Sequence, residues 1–183
     1  MKKRLFVGLL CGALFPGAAA QGGVPPEPAA DPPAHVAKAS DSDAAPDVHT
    51  TTSQFKRIVV VRLKNQVDIL EGLRKAVARE KIKNAVILCG VGSLVSYHVH
   101  VVSNTTLPAT EAFFKEEGPF DLLTTNGYII DGRVHAHISF ANPQKTLGGH
   151  LEPGTRVFTF AIITLGVLED NLDMKRFDDQ AWR

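Results

Sequence analysis

The chain has 183 residues, 44% of them hydrophobic, with 20 Lys and Arg against 19 Asp and Glu. This length supports one ordinary domain with some unstructured chain beside it, and the apolar content excludes a wholly disordered protein. A formal charge of +1 excludes the strongly basic surface of a dedicated nucleic-acid binder.

Residues 1–20, MKKRLFVGLLCGALFPGAAA, read as a secretory signal peptide. Lys2, Lys3 and Arg4 form the basic region, residues 5–15 the apolar run, and Ala18, Ala19 and Ala20 a small-residue cleavage site. The apolar run is short of the roughly 20 residues of a membrane span. Leu10, and not a small residue, precedes Cys11, which argues against a lipid anchor. The expected destination is therefore periplasmic or secreted, with no transmembrane segment after leader removal. Lys2, Lys3 and Arg4 leave with the leader and no acidic residue does, so the charge moves from +1 to −2. Cys89 then remains without a second cysteine, and no intramolecular disulfide can form. It lies in the apolar run AVILCGVGSL and is expected to be a small buried hydrophobe.

Residues 21–53 are rich in Pro, Ala, Asp and Ser and almost free of large apolar side chains. They cannot bury enough surface to offset ordering entropy and are expected to be a disordered linker. His35 and His49 fall there and are assigned to no site.

The folded domain is expected over residues 54–170. KRIVVVRL has the β-branched content of a strand. Asp68 and Glu71 stand at capping-box spacing and open a helix. Ile69, Leu70, Leu73, Ala76, Val77 and Ile82 recur along it at three- and four-residue intervals, the pattern of a buried face. Arg74, Lys75, Arg79, Lys81 and Lys83 form the solvated side. NAVILCGVGSLVSYHVHVV predicts a long strand with a bulge or close approach at Gly90 and Gly92. Further strands are expected in EAFFKEEGPFDLLTTNGYII, RVHAHISFA and TRVFTFAIITLGVL. One early helix followed by strands predicts a single α+β domain, mainly antiparallel, with one principal helix on one face. Residues 171–183 are a charged C-terminal tail, expected to be peripheral.

Three of the seven histidines lie in GRVHAHISFANPQKTLGGHL. Residues two apart on a strand share a face about 7 Å apart, so His135, His137 and Ser139 point one way. Val134, Ala136, Ile138 and Phe140 point the other, toward the core. Two imidazoles so placed can reach one metal ion, and the turn-prone NPQKT brings back His150, whose preceding glycines permit close backbone approach. Three histidines with an open position suit a catalytic zinc site better than a closed structural one. His135, His137 and His150 are thus the candidate ligands of a divalent metal, with zinc the leading ion, though copper, nickel and iron also accept imidazole; hydrogen-bonded histidines at a turn-rich sheet edge are the alternative reading of the same spacing. A second alternating pair, His98 and His100, joins the site only if its strand lies alongside. Ser139, Glu152 and Arg156 are the nearby polar candidates for acid–base work, and Glu152 is expected to be a surface turn residue.

The ordered segments GVGSL, FDLLTTNGYIIDGRVHAHISF and LGGHLEPGTRVFTFAII resemble the plant-and-prokaryote-conserved (PPC) domain, over roughly residues 55–169. The family pattern is Gly-x-Pro-His-x-His followed by Gly-Gly-His-Leu. Val134 replaces the proline, whereas His135, His137, Gly148, Gly149, His150 and Leu151 match. The resemblance implies a curved antiparallel sheet with one principal helix, a fold shared broadly with acetolactate decarboxylase. It also implies a homotrimer, and a metal on His135, His137 and His150 as in some prokaryotic members. Plant members follow AT-hook segments and bind DNA; this chain has no Arg-Gly-Arg core, and nucleic acid is not expected as its partner. Three readings follow. The first is an exported, trimeric metal-binding module with an unidentified small-molecule ligand. The second is a zinc-dependent lyase or hydrolase of a small oxo-acid, and the third is a DNA-binding or scaffold protein.

Overall fold

The structure, a computed structural model, describes residues 45–179 and Trp182. The expected leader over residues 1–20 with Cys11, and the expected linker as far as residue 44 with His35, lie outside the described residues. Residues 45–54 carry no helix or strand. From there the elements run β1 (Phe55–Lys64), α1 (Ile69–Arg79), β2 (Ala85–Val102), β3 (Glu111–Ile130), β4 (Arg133–Ala141), β5 (Thr146–Leu151), β6 (Arg156–Leu168) and a 3₁₀ turn, Lys175–Asp178. Among the described residues no helix is long and apolar enough to cross a membrane.

The strands form one antiparallel sheet in the order β1-β6-β2-β3-β4-β5, with a further pairing of β5 back onto β2. Val99 opposes Leu151 and His100 opposes His150 in that last pairing. Strands β2, β3, β4 and β5 therefore close on themselves around Val99, Phe120, Ile138, Phe140 and Leu151, all buried. Bulges in β2 after Ile87, Gly92 and Leu94 supply the bend this closure needs.

The helix follows the sequence pattern. The Asp68 carboxylate caps it by accepting from the Glu71 N–H at 3.0 Å. Ile69, Leu70, Leu73 and Val77 are buried against the inner face of the sheet, where each such side chain is stabilised by about 2 kcal/mol. The second carboxylate oxygen of Asp68 accepts from the Gly154 N–H at 2.6 Å. Asp68 thus ties the helix start to the β5–β6 turn.

Two expectations need correction. Cys89 is exposed rather than buried. The bulge between Ile87 and Cys89 inserts a residue, so Gly90 takes the inward place against Thr125 and Ile163, and Cys89 turns outward opposite Thr164. The C-terminal tail is not simply peripheral. Met174 is buried with Ile130 and Leu168, and the Asn84 side chain donates to the Leu172 carbonyl at 2.8 Å.

The outer face of the sheet has two characters. On β1, β6 and β2 it is apolar, with Ile58, Val60, Val91, Phe158 and Phe160 between 39% and 64% exposed. On β4 and β5 the same face carries histidines.

Replacing Asp68 by Ala removes both carboxylate contacts and is expected to cost about 2 kcal/mol in a urea titration, one part as a helix cap and one as a satisfied N–H. A loss below about 0.5 kcal/mol would show that the cap does not anchor the turn.

Candidate metal centre

Register places the site. His137 on β4 lies opposite His150 on β5, and His150 lies opposite His100 on β2. Directly opposed residues share a face with Cβ atoms about 5 Å apart, so three imidazoles stand in a row across three strands. His135, two residues before His137, joins the same face beside them. Ala136, Ile138 and Phe140 fill the core side of β4, as the alternation predicts.

The glycines before His150 permit this arrangement. A Cβ on Gly148 would sit 2.6 Å from the Ile138 carbonyl oxygen, and one on Gly149 2.6 Å from that of His100. Real side chains do not tolerate such contacts with backbone, so β5 fits between β4 and β2 only with glycine at both positions.

His135, His137 and His150 each offer a ring nitrogen, and the three lie within 4.8 Å of one another. Nitrogens around one tetrahedral zinc ion stand roughly 3.3 Å apart, so small ring rotations bring this trio to bonding distance. The ring of His150 is nearly perpendicular to both others, at 4.8 Å from His135 and 5.1 Å from His137. Burial pushes the pKa of His150 down to about 4, aided by His135, His100 and His137, while Glu152 opposes the shift. Burial also lowers His137, with His135 and His100 adding to it. Both rings are therefore neutral at physiological pH, the state in which imidazole binds a metal.

The remaining polar residues take distinct places. His100 stacks on His150 at 4.6 Å but is not one of the converging trio. Its Nδ1–H donates to Glu152 at 2.8 Å, and its Nε2 lies 3.6 Å from Glu111. Glu152 is thus a partner of the cluster's neighbour, the alternative its place two residues past His150 left open, and not the surface turn residue favoured from sequence; the β2–β5 pairing decides between the two. His98 is a latch. Its Nδ1–H donates to the Pro153 carbonyl at 2.7 Å, and its backbone N–H to the buried Thr155 hydroxyl at 3.0 Å. Arg156 is engaged elsewhere, donating to Ser96, Gln66 and Glu117. Ser139 lies one step along β4, opposite Gly148. Asp178, which sequence reasoning did not select, has a carboxylate oxygen 3.7 Å from the Nδ1 of His135, beyond hydrogen-bond distance, and another 3.8 Å from Arg133.

Fold and site together define an α+β domain that presents three converging imidazoles on the outer face of a closed antiparallel sheet. The profile of the Plants and Prokaryotes Conserved (PCC) domain matches residues 50–169, and the chain belongs to that family. Among solved structures it is similar to a hypothetical protein of Salmonella enterica, with 26% identity and a TM-score of 0.57 over 66% of this chain and 83% of the other. It is similar to a plant- and prokaryote-conserved (PPC) protein of Pyrococcus horikoshii, with 21% identity and a TM-score of 0.57 over 70% and 90%. A metal-containing protein of Archaeoglobus fulgidus shares the fold at 16% identity and a TM-score of 0.56, over 66% and 86%. The bifunctional protein GlmU of Synechococcus sp. (strain JA-3-3Ab) is 28% identical over 120 residues, which is 65% of this chain and 18% of that protein. The chain thus spans less than a fifth of that curated relative's length.

The depressed pKa of His150 makes a sign-specific prediction for the chelator-treated protein. Between pH 6.5 and about 4 the unfolded chain takes up a proton at His150 that the folded chain does not. Stability therefore falls as pH drops through that window. His150→Gln is expected to flatten the fall in urea midpoint between pH 7 and 4; an unchanged slope would show that His150 is not held neutral by the fold.

Proposed function

We propose that the protein is an exported, homotrimeric metal-binding module in which His135, His137 and His150 hold one divalent cation, most simply zinc. The observation that carries this reading is the convergence of three ring nitrogens to within 4.8 Å. Two of those rings are kept neutral by burial. The donor set also fits, because three imidazoles and an open position suit zinc and leave room for an exogenous ligand. The Archaeoglobus relative is described as metal-containing, which is consistent with such a site in this fold. Nucleic acid has no part in the proposal, since the formal charge without the leader is −2.

Assembly is supported by the apolar half of the sheet's outer face. Phe158 and Phe160 on β6, Ile58 and Val60 on β1 and Val91 on β2 are large apolar side chains left exposed on this face. A symmetric oligomer would bury it. Export is supported by the basic, apolar and small-residue pattern of residues 1–20.

Elemental analysis of the mature protein, purified without a histidine tag, is expected to find about one zinc per chain. The His135→Ala/His150→Ala double variant should retain less than about a tenth of that. Wild-type protein that stays metal-free after incubation with zinc removes the metal reading. Light scattering on protein recovered from a periplasmic extract is expected to give three times the chain mass; a monomer mass removes the trimer, and recovery only from the cytoplasm with the leader intact removes export.

A further inference from the structure

Beside the histidines lies a cavity of about 560 Å³, walled by Phe55, Tyr128, Ile130, Leu168, Met174 and Phe177. His135 is also among its lining residues, so the cavity meets the cluster directly. A shallower cleft shares Val86, Tyr128 and His135 with it and continues to Asn126 and His137. The two spaces are therefore neighbours, with Val86, Tyr128 and His135 between the histidine face and the apolar recess. The polar side chains that line the recess are Thr51, Ser53, Tyr128, His135 and Asp178.

We propose that this recess is the tail subsite of a monocarboxylate ligand whose head group binds the metal held by His135, His137 and His150. The proposal rests on the metal reading above and adds the chemical class of the ligand. Imidazole ligands, unlike thiolates or carboxylates, bring no negative charge to a site, so a divalent cation held by them would keep its full charge and draw an anionic oxygen. Asp178 at the rim lies 3.7 Å from His135 and 3.8 Å from Arg133, so the rim next to the histidines is polar where the rest of the recess is apolar. Beyond the head the walls are aliphatic and aromatic, and the volume lies within the range of small-molecule sites. They accept a branched or aromatic tail and offer a polar or charged tail little compensation for lost water. The wall residues come from β1, β3 and β6 and from the C-terminal segment, where Met174 is buried against Ile130 and Leu168.

The test uses the mature protein, zinc-loaded and chelator-stripped, with zinc counted first so that the metal reading is decided independently. Calorimetric titrations then compare acetate, 3-methylbutanoate and phenylacetate. Phenylacetate is expected to bind the zinc form roughly tenfold or more tightly than acetate, the worth of a partly buried ring. Stripping the zinc is expected to weaken phenylacetate by at least about tenfold, the loss of a charge-assisted contact. Phe177→Ser and Tyr128→Ser change exposed wall positions, 42% and 48% accessible, so the fold should persist. Each should lower the phenylacetate preference to within roughly threefold of acetate while zinc stoichiometry stays unchanged. Zinc-loaded protein that binds all three acids alike, or none, overturns the tail subsite and leaves the metal reading standing. Phenylacetate binding that is indifferent to zinc overturns the head-group assignment. A chain that takes up no zinc fails the metal reading and this proposal with it.

Discussion

The constraint on which the rest of the structure depends is the insertion of β5 between β4 and β2. Its backbone approaches both neighbours so closely that a single Cβ at Gly148 or Gly149 would meet a carbonyl oxygen at 2.6 Å. That approach sets His150 between His137 and His100. It also fixes the turn that follows, where Glu152 reaches His100, Pro153 accepts from His98, and Gly154 donates to Asp68. The tie from Asp68 to the β5–β6 turn, the strand closure and the histidine row meet in one close packing. A short glycine pair thereby does work that no side chain could do, because any side chain would push β5 out of register and carry His150 with it.

The second consequence concerns charge. Four imidazoles on one sheet face, each near the next, cannot all be protonated without mutual repulsion in a partly dry setting. Desolvation settles this most strongly at the half-buried His150 and lowers His137 in the same direction, although His137 stays more exposed. Neutral imidazoles leave open lone pairs at physiological pH, and gathering them costs desolvation. A bound cation would return that cost, which is the energetic reason the proposed function follows from the cluster and not merely from its spacing.

Periodicity and alternation were sufficient for the elements. The Asp68 cap, the buried face of α1 and the division of β4 into His135 and His137 outward, Ala136, Ile138 and Phe140 inward, follow from patterns of 3.6 and 2. The Gly-Gly-His signal was equally legible, since glycine before a ligand has a steric meaning. What local sequence does not carry is phase after a bulge and contact between distant strands. Cys89 turned outward because one extra residue in β2 reversed the alternation. Glu152 and Asp178 became neighbours of the histidines through pairing and packing across 52 and 43 residues of chain. Met174 found its place against Ile130 and Leu168 in the same way.

His100 shows how a long-range contact sets the coordination number. It is opposite His150 and stacks on it, so position alone would make it a fourth ligand. Its Nδ1–H is instead held by Glu152 at 2.8 Å, and Glu111 lies 3.6 Å from its Nε2. The Glu152 hydrogen bond occupies its Nδ1, and His100 is not among the three converging residues. Four imidazoles around a zinc ion would complete a tetrahedron and leave no place for an exogenous ligand. Were the trio to hold a zinc ion, His100 held by Glu152 would leave the fourth position to an exogenous ligand, and a cleft lined by His135, His137 and Asn126 lies beside the trio. In the proposed reading, the Glu152 contact is therefore what separates a site suited to holding a ligand from one suited only to holding an ion.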